Sequence, residues 1–392
     1  MGITISSLRR RLQQAHDLLL QIPWSKTPTT LPSDVIFDIL SRVPAKSMCR
    51  FRCVSRECRD RISDPVFIAA AQERRPPEPL LVVGSDHDMS LRLVDMDGTV
   101  VRVISGMNRP WVPVSTNPDG FVCVTTGFSK DDNLAGVIDL TTMKMPVTHL
   151  KSDRAWGYGR AVPSGAYKMV RLGFHHCEVF TVGDNDGWKR RKCPPFRFDG
   201  SSHDNYTAAV NGMLHFLPVA LPDEEGTLLF FDLESEEWKC GIKGPPKVKL
   251  GRLNIRLGEL NGSLCMVEPE VRHSGYTNIW LLKDHHKSVW VKAYTIPLDT
   301  PAIDRRHMMP LRVLDDDGLQ LLFYSREKGE PPELHIYDRR HGTYRNATKE
   351  LLGNDHVSGI GFCSLRLESF LSAEFQCPVS SSYFSRSVSL EH

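Results

Sequence analysis

The chain has no long apolar run. Nowhere among its 392 residues does an unbroken hydrophobic stretch approach the roughly 20 residues that a bilayer span needs. The N-terminus lacks the apolar centre and small-residue cleavage site of a secretory signal. It also lacks a charge imbalance: 49 Lys and Arg stand against 47 Asp and Glu, a net charge of +2. No global field therefore draws it onto nucleic acid or an anionic membrane, and a protein partner is expected. No Cys-x-x-Cys pair occurs among the ten cysteines, which excludes a disulfide or zinc framework of that spacing and fits buried thiols in a reducing compartment. The sequons at Asn205, Asn261 and Asn346 then go unused, and the expected location is the cytoplasm, the nucleus or both. No phosphate-cradling Gly-x-x-x-x-Gly-Lys and no Gly-x-Ser-x-Gly nucleophile turn is present.

What is present falls into segments. In residues 1–30, Ile5, Leu8, Leu12, Ala15, Leu19 and Ile22 recur at three- and four-residue steps, predicting an amphipathic helix followed by a linker. Its first acidic residue is Asp17, which leaves a mitochondrial presequence as an alternative to a packed or partner-facing helix.

Residues 31–72 read as a dense helical unit. Ser33 is placed to cap a first helix and Asp34 suits its positive end. Pro44 ends that helix at Val43, a second begins near Ala45, and Asp64-Pro65 marks another break. Three or four short helices in about forty residues bury little apolar surface on their own, which points to a docking partner.

Residues 73–79 form a Pro-rich linker, and from residue 80 to 370 the helical period disappears. Short β-branched and aromatic runs alternate with Gly, Asn and Asp turns. Asn211-Gly212 precedes Met213–Phe216, then Phe231-Asp232-Leu233 and Trp238. The phrase returns with Asn261-Gly262, Leu264–Val267 and Trp290, and again with Asp317-Gly318, Ile336-Tyr337-Asp338 and Tyr344. Weaker copies run upstream, through Gly136–Leu140 and through Cys177–Val182 with Trp188. A period of about 45 to 55 residues holding four strands is the signature of propeller blades. The expected fold is therefore α+β multidomain: a small all-α module followed by a large all-β, propeller-like domain of about six blades, with residues 371–392 as a flexible tail.

Chemistry was sought in several motifs. Asp95-Met96-Asp97-Gly98-Thr99 has the pattern of a phosphatase that uses an aspartate nucleophile, but the sequence after it reads as strand and turn rather than the alternating scaffold that chemistry uses. The competing reading is a hairpin turn. Asp184–Gly187 and Asp315–Gly318 lack the alternating ligands of a calcium loop. Cys49, Cys53 and Cys58 lack zinc spacing, and His175-His176 and His285-His286 alternate faces in extended chain. Lys189-Arg190-Arg191-Lys192 suits either a nuclear address or a solvated blade edge. No catalytic residue, metal site or cofactor is expected.

The ordered run Leu31-Pro32-Ser33-Asp34-Val35-Ile36-Phe37-Asp38-Ile39-Leu40-Ser41-Arg42-Val43-Pro44-Ala45-Lys46-Ser47 resembles an F-box. Its continuation does too, in Arg50-Phe51-Arg52-Cys53-Val54-Ser55-Arg56, Arg59, Ile62-Ser63-Asp64-Pro65 and Phe67. The wording is similar to plant members, and the blade-like remainder to the F-box-associated and kelch-type domains that follow the F-box there. The resemblance implies a non-enzymatic receptor that docks on a Skp-type adaptor and, through it, a cullin. The β domain would then select a protein target for ubiquitination. A propeller interaction module outside any ligase is the alternative. Apolar content places Leu31, Pro32, Val35, Ile36, Ile39 and Leu40 at the adaptor contact, and the resemblance adds Val43, Pro44, Met48, Cys53 and Val54 in or beside it. Cys58 stands where many plant relatives carry Trp. The stretch Lys151–Ala166, with Trp156, Tyr158 and Arg160, has the aromatic and arginine content of a target-binding loop, with a blade connection as the alternative.

Overall fold

The computed structural model describes residues 31–43, 45–74, 78–105, 107, 109–114, 120–126, 134–140, 145–150, 155–173, 176–184, 186–195, 207–217, 226–250, 255–269, 275–297, 306–327, 330–353 and 357–365. The expected helix over 5–22 and the tail 371–392 lie outside these. The chain divides into two compact units, one up to Arg74 and one from Arg75. Among the described residues, no helix is long and apolar enough to cross a membrane.

The first unit holds helices α1 (Ser33–Arg42), α2 (Ala45–Phe51), α3 (Arg56–Ile62) and α4 (Pro65–Glu73). Val43 is extended at φ −76° and ψ 133°, as a residue before proline must be, and α1 stops there. Ser55 caps α3 by accepting from the Cys58 amide at 3.0 Å, and Asp64 accepts from the Val66 amide at 2.8 Å to open α4. One expectation fails. Pro32, not Ser33, occupies the cap of α1. No side chain caps the helix there, and the Ser33 hydroxyl instead accepts from Arg61 Nη2 of α3 at 3.2 Å. Met48, Ile62, Phe67 and Ala71 are buried, and Phe37 meets Phe67 edge-on at 5.1 Å. Asp38 on α1 accepts from Arg42 and from Arg74 past the end of α4, at 3.0 and 3.1 Å. Those hydrogen bonds, Arg42's first, hold its carboxyl below the usual range.

The second unit is six four-stranded antiparallel sheets. Blade I takes β1 (Glu78–Ser85), β2 (Ser90–Asp95) and β3 (Val100–Ile104). Blade II is β4 (Val112–Pro113), β5 (Phe121–Thr125), β6 (Leu134–Asp139) and β7 (Val147–His149). Blade III is β8 (Ala155–Arg160), β9 (Tyr167–Leu172), β10 (Cys177–Thr181) and β11 (Lys189–Arg191). Blade IV is β12 (Thr207–Val210), β13 (Met213–Phe216), β14 (Thr227–Asp232) and β15 (Glu237–Lys243). Blade V is β16 (Arg256–Leu260), β17 (Ser263–Pro269), β18 (Tyr276–Asp284) and β19 (Val289–Pro297). Blade VI is β20 (Arg306–Val313), β21 (Gln320–Glu327), β22 (Glu333–Asp338) and β23 (Thr343–Asn346). After a short helix α5 (Thr348–Leu352), the last strand β24 (Gly359–Leu365) returns to pair with β1 and complete blade I. Strand pairing begins at Glu78, so Glu78 and Pro79 belong to blade I rather than to a linker.

Each seam between blades is packed by side chains from both sides. Leu214, Phe216 and Phe231 of blade IV bury against Val170, Leu172 and Val179 of blade III, and blades IV and V share Leu228, Phe230, Leu257, Met266 and Trp290. At the closing seam, Leu81 and Val94 of blade I meet Leu322 and Leu334 of blade VI and Leu351 of α5. Gly98, at φ +76°, comes so near α5 that a Cβ would stand 2.4 Å from the Glu350 carbonyl oxygen, a position only glycine fills.

The repeating Asp and Trp of the sequence have separate tasks. Asp95, Asp232, Asp284 and Asp338 end the third strand of their blades, and each carboxylate accepts backbone amides of the turn that follows. The tryptophans reach backwards to the preceding blade. Trp188 Nε1 donates to Thr148 Oγ1 at 2.8 Å, Trp238 to the Lys192 carbonyl at 3.0 Å and Trp290 to the Lys243 carbonyl at 2.8 Å. Tyr337 does the same from blade VI, donating to the Thr295 carbonyl at 2.9 Å. The seam between blades III and IV adds ions. Lys168 Nζ donates to Glu236 at 2.7 Å and to the Leu233 carbonyl at 2.6 Å, and Arg191 also pairs with Glu236. Burial pushes the Glu236 carboxyl up, but those two cations outweigh it and hold the group below the ordinary glutamate value.

Two stability outcomes follow. Trp238→Phe keeps the ring contacts with Phe216 and Phe231 but loses the interblade hydrogen bond, and lowers unfolding free energy by about 1 kcal/mol in a denaturant titration. Glu236→Gln lowers it by about 1–3 kcal/mol at neutral pH. Because the folded-state pKa of Glu236 is depressed, its contribution is present above the unfolded value of about 4.3. It is lost as pH falls through the folded value, so the gap between wild type and Glu236→Gln closes in acid.

Candidate functional site

An α-helix brings every fourth residue back to one side, and on α1 that geometry divides the apolar residues into two sets. Leu31, just before the helix, is 55% exposed, Val35 39% and Ile39 49%. With exposed Pro32 they make an apolar strip facing solvent. Ile36 and Val43 are half-buried. Leu40 and Met48, at 7% and 0% exposure, offer no surface, which corrects their placement at a contact. One position along a helix is a turn of about 100°, so Leu40 faces inward while Ile39 faces out. Pro44 lies outside the described residues. Beyond the helix, Cys53 and Val54 are exposed. The sequence expectation omitted Phe51, 38% exposed, and Val66, 72% exposed. The signals were there: Phe51 is the last residue of α2 and Val66 stands in the first turn of α4, directly after Pro65.

The strip of Leu31, Pro32, Val35 and Ile39 presents only apolar side chains. Its chemistry is burial, and an apolar side chain of this size gains about 1.5–3 kcal/mol when taken wholly out of water. Cys58, half-buried on α3, sits beside the capping hydroxyl of Ser55.

The expected target-binding residues are placed differently. Trp156, Tyr158 and Arg160 lie on β8, the first strand of blade III, rather than on a loop. Tyr158 is 5% exposed and stacks on Tyr167 at 5.7 Å, and half-buried Trp156 packs against the same cluster, which includes Cys123 and Val137 of blade II. Only Arg160 is exposed. The glycines that suggested a loop serve close packing. A Cβ on Gly157 would stand 2.7 Å from Leu214, and one on Gly159 2.7 Å from both Ala209 and Leu233. Small residues on one side of β8 admit blade IV while aromatics on the other fill the seam with blade II.

The remaining motifs resolve as structure. Asp95 Oδ1 accepts from the Asp97 and Thr99 amides at 3.1 and 2.8 Å, the geometry of a hairpin turn. Asp315 Oδ1 accepts from Leu319 and Gln320, and Asp184 and Asp186 both pair with Lys189. Lys189 and Arg191, two of the four basic residues of that run, are thus engaged within the fold. No cluster of three or more His, Cys, Asp or Glu suited to a metal occurs among the described residues.

Leu31→Ala, Val35→Ala and Ile39→Ala each leave thermal stability within about 0.5 kcal/mol of wild type. Met48→Ala costs about 2–5 kcal/mol. Helical circular dichroism of the full chain during heating separates the two classes.

Comparison with known proteins bears directly on this arrangement. The F-box domain family matches residues 29–69, the helical unit. The F-box associated beta propeller domain family matches residues 164–363, from the start of β9 through most of β24. The chain is similar to the F-box protein CPR1 of Arabidopsis thaliana, 25% identical over 368 residues that cover 79% of this chain and 85% of that one. It is also similar to the F-box/kelch-repeat protein At2g43445 of the same plant, 23% identical over 76% of this chain and 75% of that one. Among solved structures, TolB from Acinetobacter baumannii overlays with a TM-score of 0.46 at 14% identity, covering 76% of this chain and 69% of that one. By the family match over blades III to VI, with an F-box ahead of them, the chain belongs to the F-box proteins that carry an F-box associated β-propeller domain.

Proposed function

We propose that this chain is the substrate receptor of a Skp–cullin–F-box ubiquitin ligase, with the F-box docking on a Skp-type adaptor and the propeller holding the protein to be ubiquitinated. The observation that carries this reading is the solvent-facing strip Leu31, Val35 and Ile39 in a unit that matches the F-box family. F-box domains generally bind adaptors of that type. An unpaired strip of this kind is worth its cost when a partner helix covers it. Pro32 is exposed beside it in sequence, Cys53 and Val54 are exposed after α2 and extend the contact, and Ile36 and Val43 contribute their exposed edges.

The receptor contributes no catalytic residue and needs no cofactor. Tethering a target near an activated ubiquitin raises its effective concentration, and the chemistry belongs to the enzymes gathered on the cullin. Such a role places the chain in the cytoplasm, the nucleus or both. The target is a protein bound by the propeller, and of Trp156, Tyr158 and Arg160 it is Arg160 that is exposed.

The test is a pull-down of the intact chain with a Skp-type adaptor, beside the triple variant Leu31→Ala/Val35→Ala/Ile39→Ala. The intact chain binds, and the variant, folded by circular dichroism, loses at least about tenfold in affinity. Failure of the intact chain to bind overturns the ligase reading and favours an interaction protein acting outside it. Equal binding by both moves the contact off α1.

A further inference from the structure

His215 and His285 come from different blades and meet at the seam between them. His215 is on β13 of blade IV and 1% exposed. His285 is on the turn between β18 and β19 of blade V. Their rings lie 5.7 Å apart, and both pack on Phe230, at 5.8 and 4.7 Å. His215 Nδ1 is 3.2 Å from the Ala208 carbonyl oxygen. A carbonyl only accepts, so Nδ1 carries the hydrogen and Nε2 is left as a bare lone pair.

That lone pair is buried, as is Nε2 of His285, and neither has a hydrogen-bond partner among the described residues. A buried nitrogen left unmatched costs about 1–3 kcal/mol. Two of them from two blades beside one phenyl ring are accounted for together by one electron-pair acceptor shared between them. Two imidazole nitrogens each about 2 Å from a common ion put their ring centres roughly 6 Å apart, in line with the separation found here.

The donor set selects the ion. Tetrahedral divalent zinc takes four ligands, and no third His, Cys, Asp or Glu completes a group among the described residues. A monovalent d¹⁰ ion is satisfied by two neutral imidazoles in line and brings only one charge into an apolar seam. Both rings are suited to that: burial pushes His215 down to about 4 and lowers His285 as well. His285 is half-buried, on a turn whose His286 and Lys287 are exposed.

We propose that His215 and His285 form a two-coordinate site for one monovalent copper ion, bridging blades IV and V. The ion is held by Nε2 of each ring and ties together two blades already packed through Phe230 and Trp290.

The experiment titrates the full chain with Cu(I) against a chromophoric competitor under reducing, anaerobic conditions. Exposed thiols such as Cys53 and Cys193 are alkylated beforehand, because they would otherwise compete. The expected result is one equivalent of Cu(I) with a nitrogen-only shell by X-ray absorption and a raised melting temperature, since a ligand bound only to the native state stabilises it. His285→Ala, on a solvent-accessible turn, stays folded and loses more than about tenfold in affinity. His286→Ala, at the exposed neighbour, binds as wild type does. Absence of Cu(I) binding, a sulfur shell, or unchanged affinity in His285→Ala overturns the site.

Discussion

The pairing of β24 with β1 is the contact on which the propeller depends. It joins Leu80 to Cys363, Val82 to Gly361 and Gly84 to Gly359, the two ends of a segment that runs through all six blades. A four-stranded blade cannot shelter both of its faces by itself, so each seam is stable only while its neighbours stand. Without β24, blade I would be three strands with an open edge. The cluster of Leu81, Val83, Leu322, Leu334, Ile360 and Phe362 would lose members from both sides. The cost of closing so long a segment grows only slowly with its length, while the apolar area recovered at two seams is large. Closure is therefore favourable at equilibrium, although contacts so distant in sequence make it a slow event in folding.

The same economy explains how polar groups are spent inside the ring. Strand ends leave backbone amides without partners, and a carboxylate at the end of the third strand satisfies them in four of the blades. Seam-facing indoles bring an N–H into an apolar layer, where it must find an acceptor. The carbonyls and hydroxyl of the preceding blade's outer strand lie within reach. Each tryptophan thus fills volume and sets the register of one blade on the next. The III–IV seam goes further with Lys168, Arg191 and Glu236, where a buried carboxylate with two cations fixes one arrangement more firmly than it adds stability.

Much of this was legible in the sequence, because it rests on residues with narrow conformational habits. Proline ended α1 at Val43 and opened α4 at Pro65. Asp-Gly and Asn-Gly marked hairpins, and the spacing of Trp188, Trp238 and Trp290 carried the blade period. What misled was ambiguity of direction. The apolar residues of α1 cover more than half the helix, and periodicity alone does not say which edge faces in, so Leu40 was grouped with Ile39. Trp156-Gly157-Tyr158-Gly159-Arg160 read as a loop because glycine weakens a strand signal. There the glycines record how closely blade IV approaches β8, a tertiary fact with no local trace. The convergence of His215 and His285 was equally invisible, since the two lie 70 residues apart and each looks ordinary alone.

Read as a receptor, the chain works through position, and stiffness is then part of its function. Under the receptor reading, a target held by a loosely packed ring would sample many orientations, and the ordering cost would be subtracted from its affinity. Interblade hydrogen bonds, glycine-mediated close packing and the closing strand remove that freedom in advance. The F-box unit follows the opposite logic. Its four described helices leave Leu31, Val35 and Ile39 exposed, a surface that the proposed partner would cover. One unit meets its burial requirement internally and the other leaves it open, the division of labour that the proposed receptor role, bringing two other proteins together, calls for.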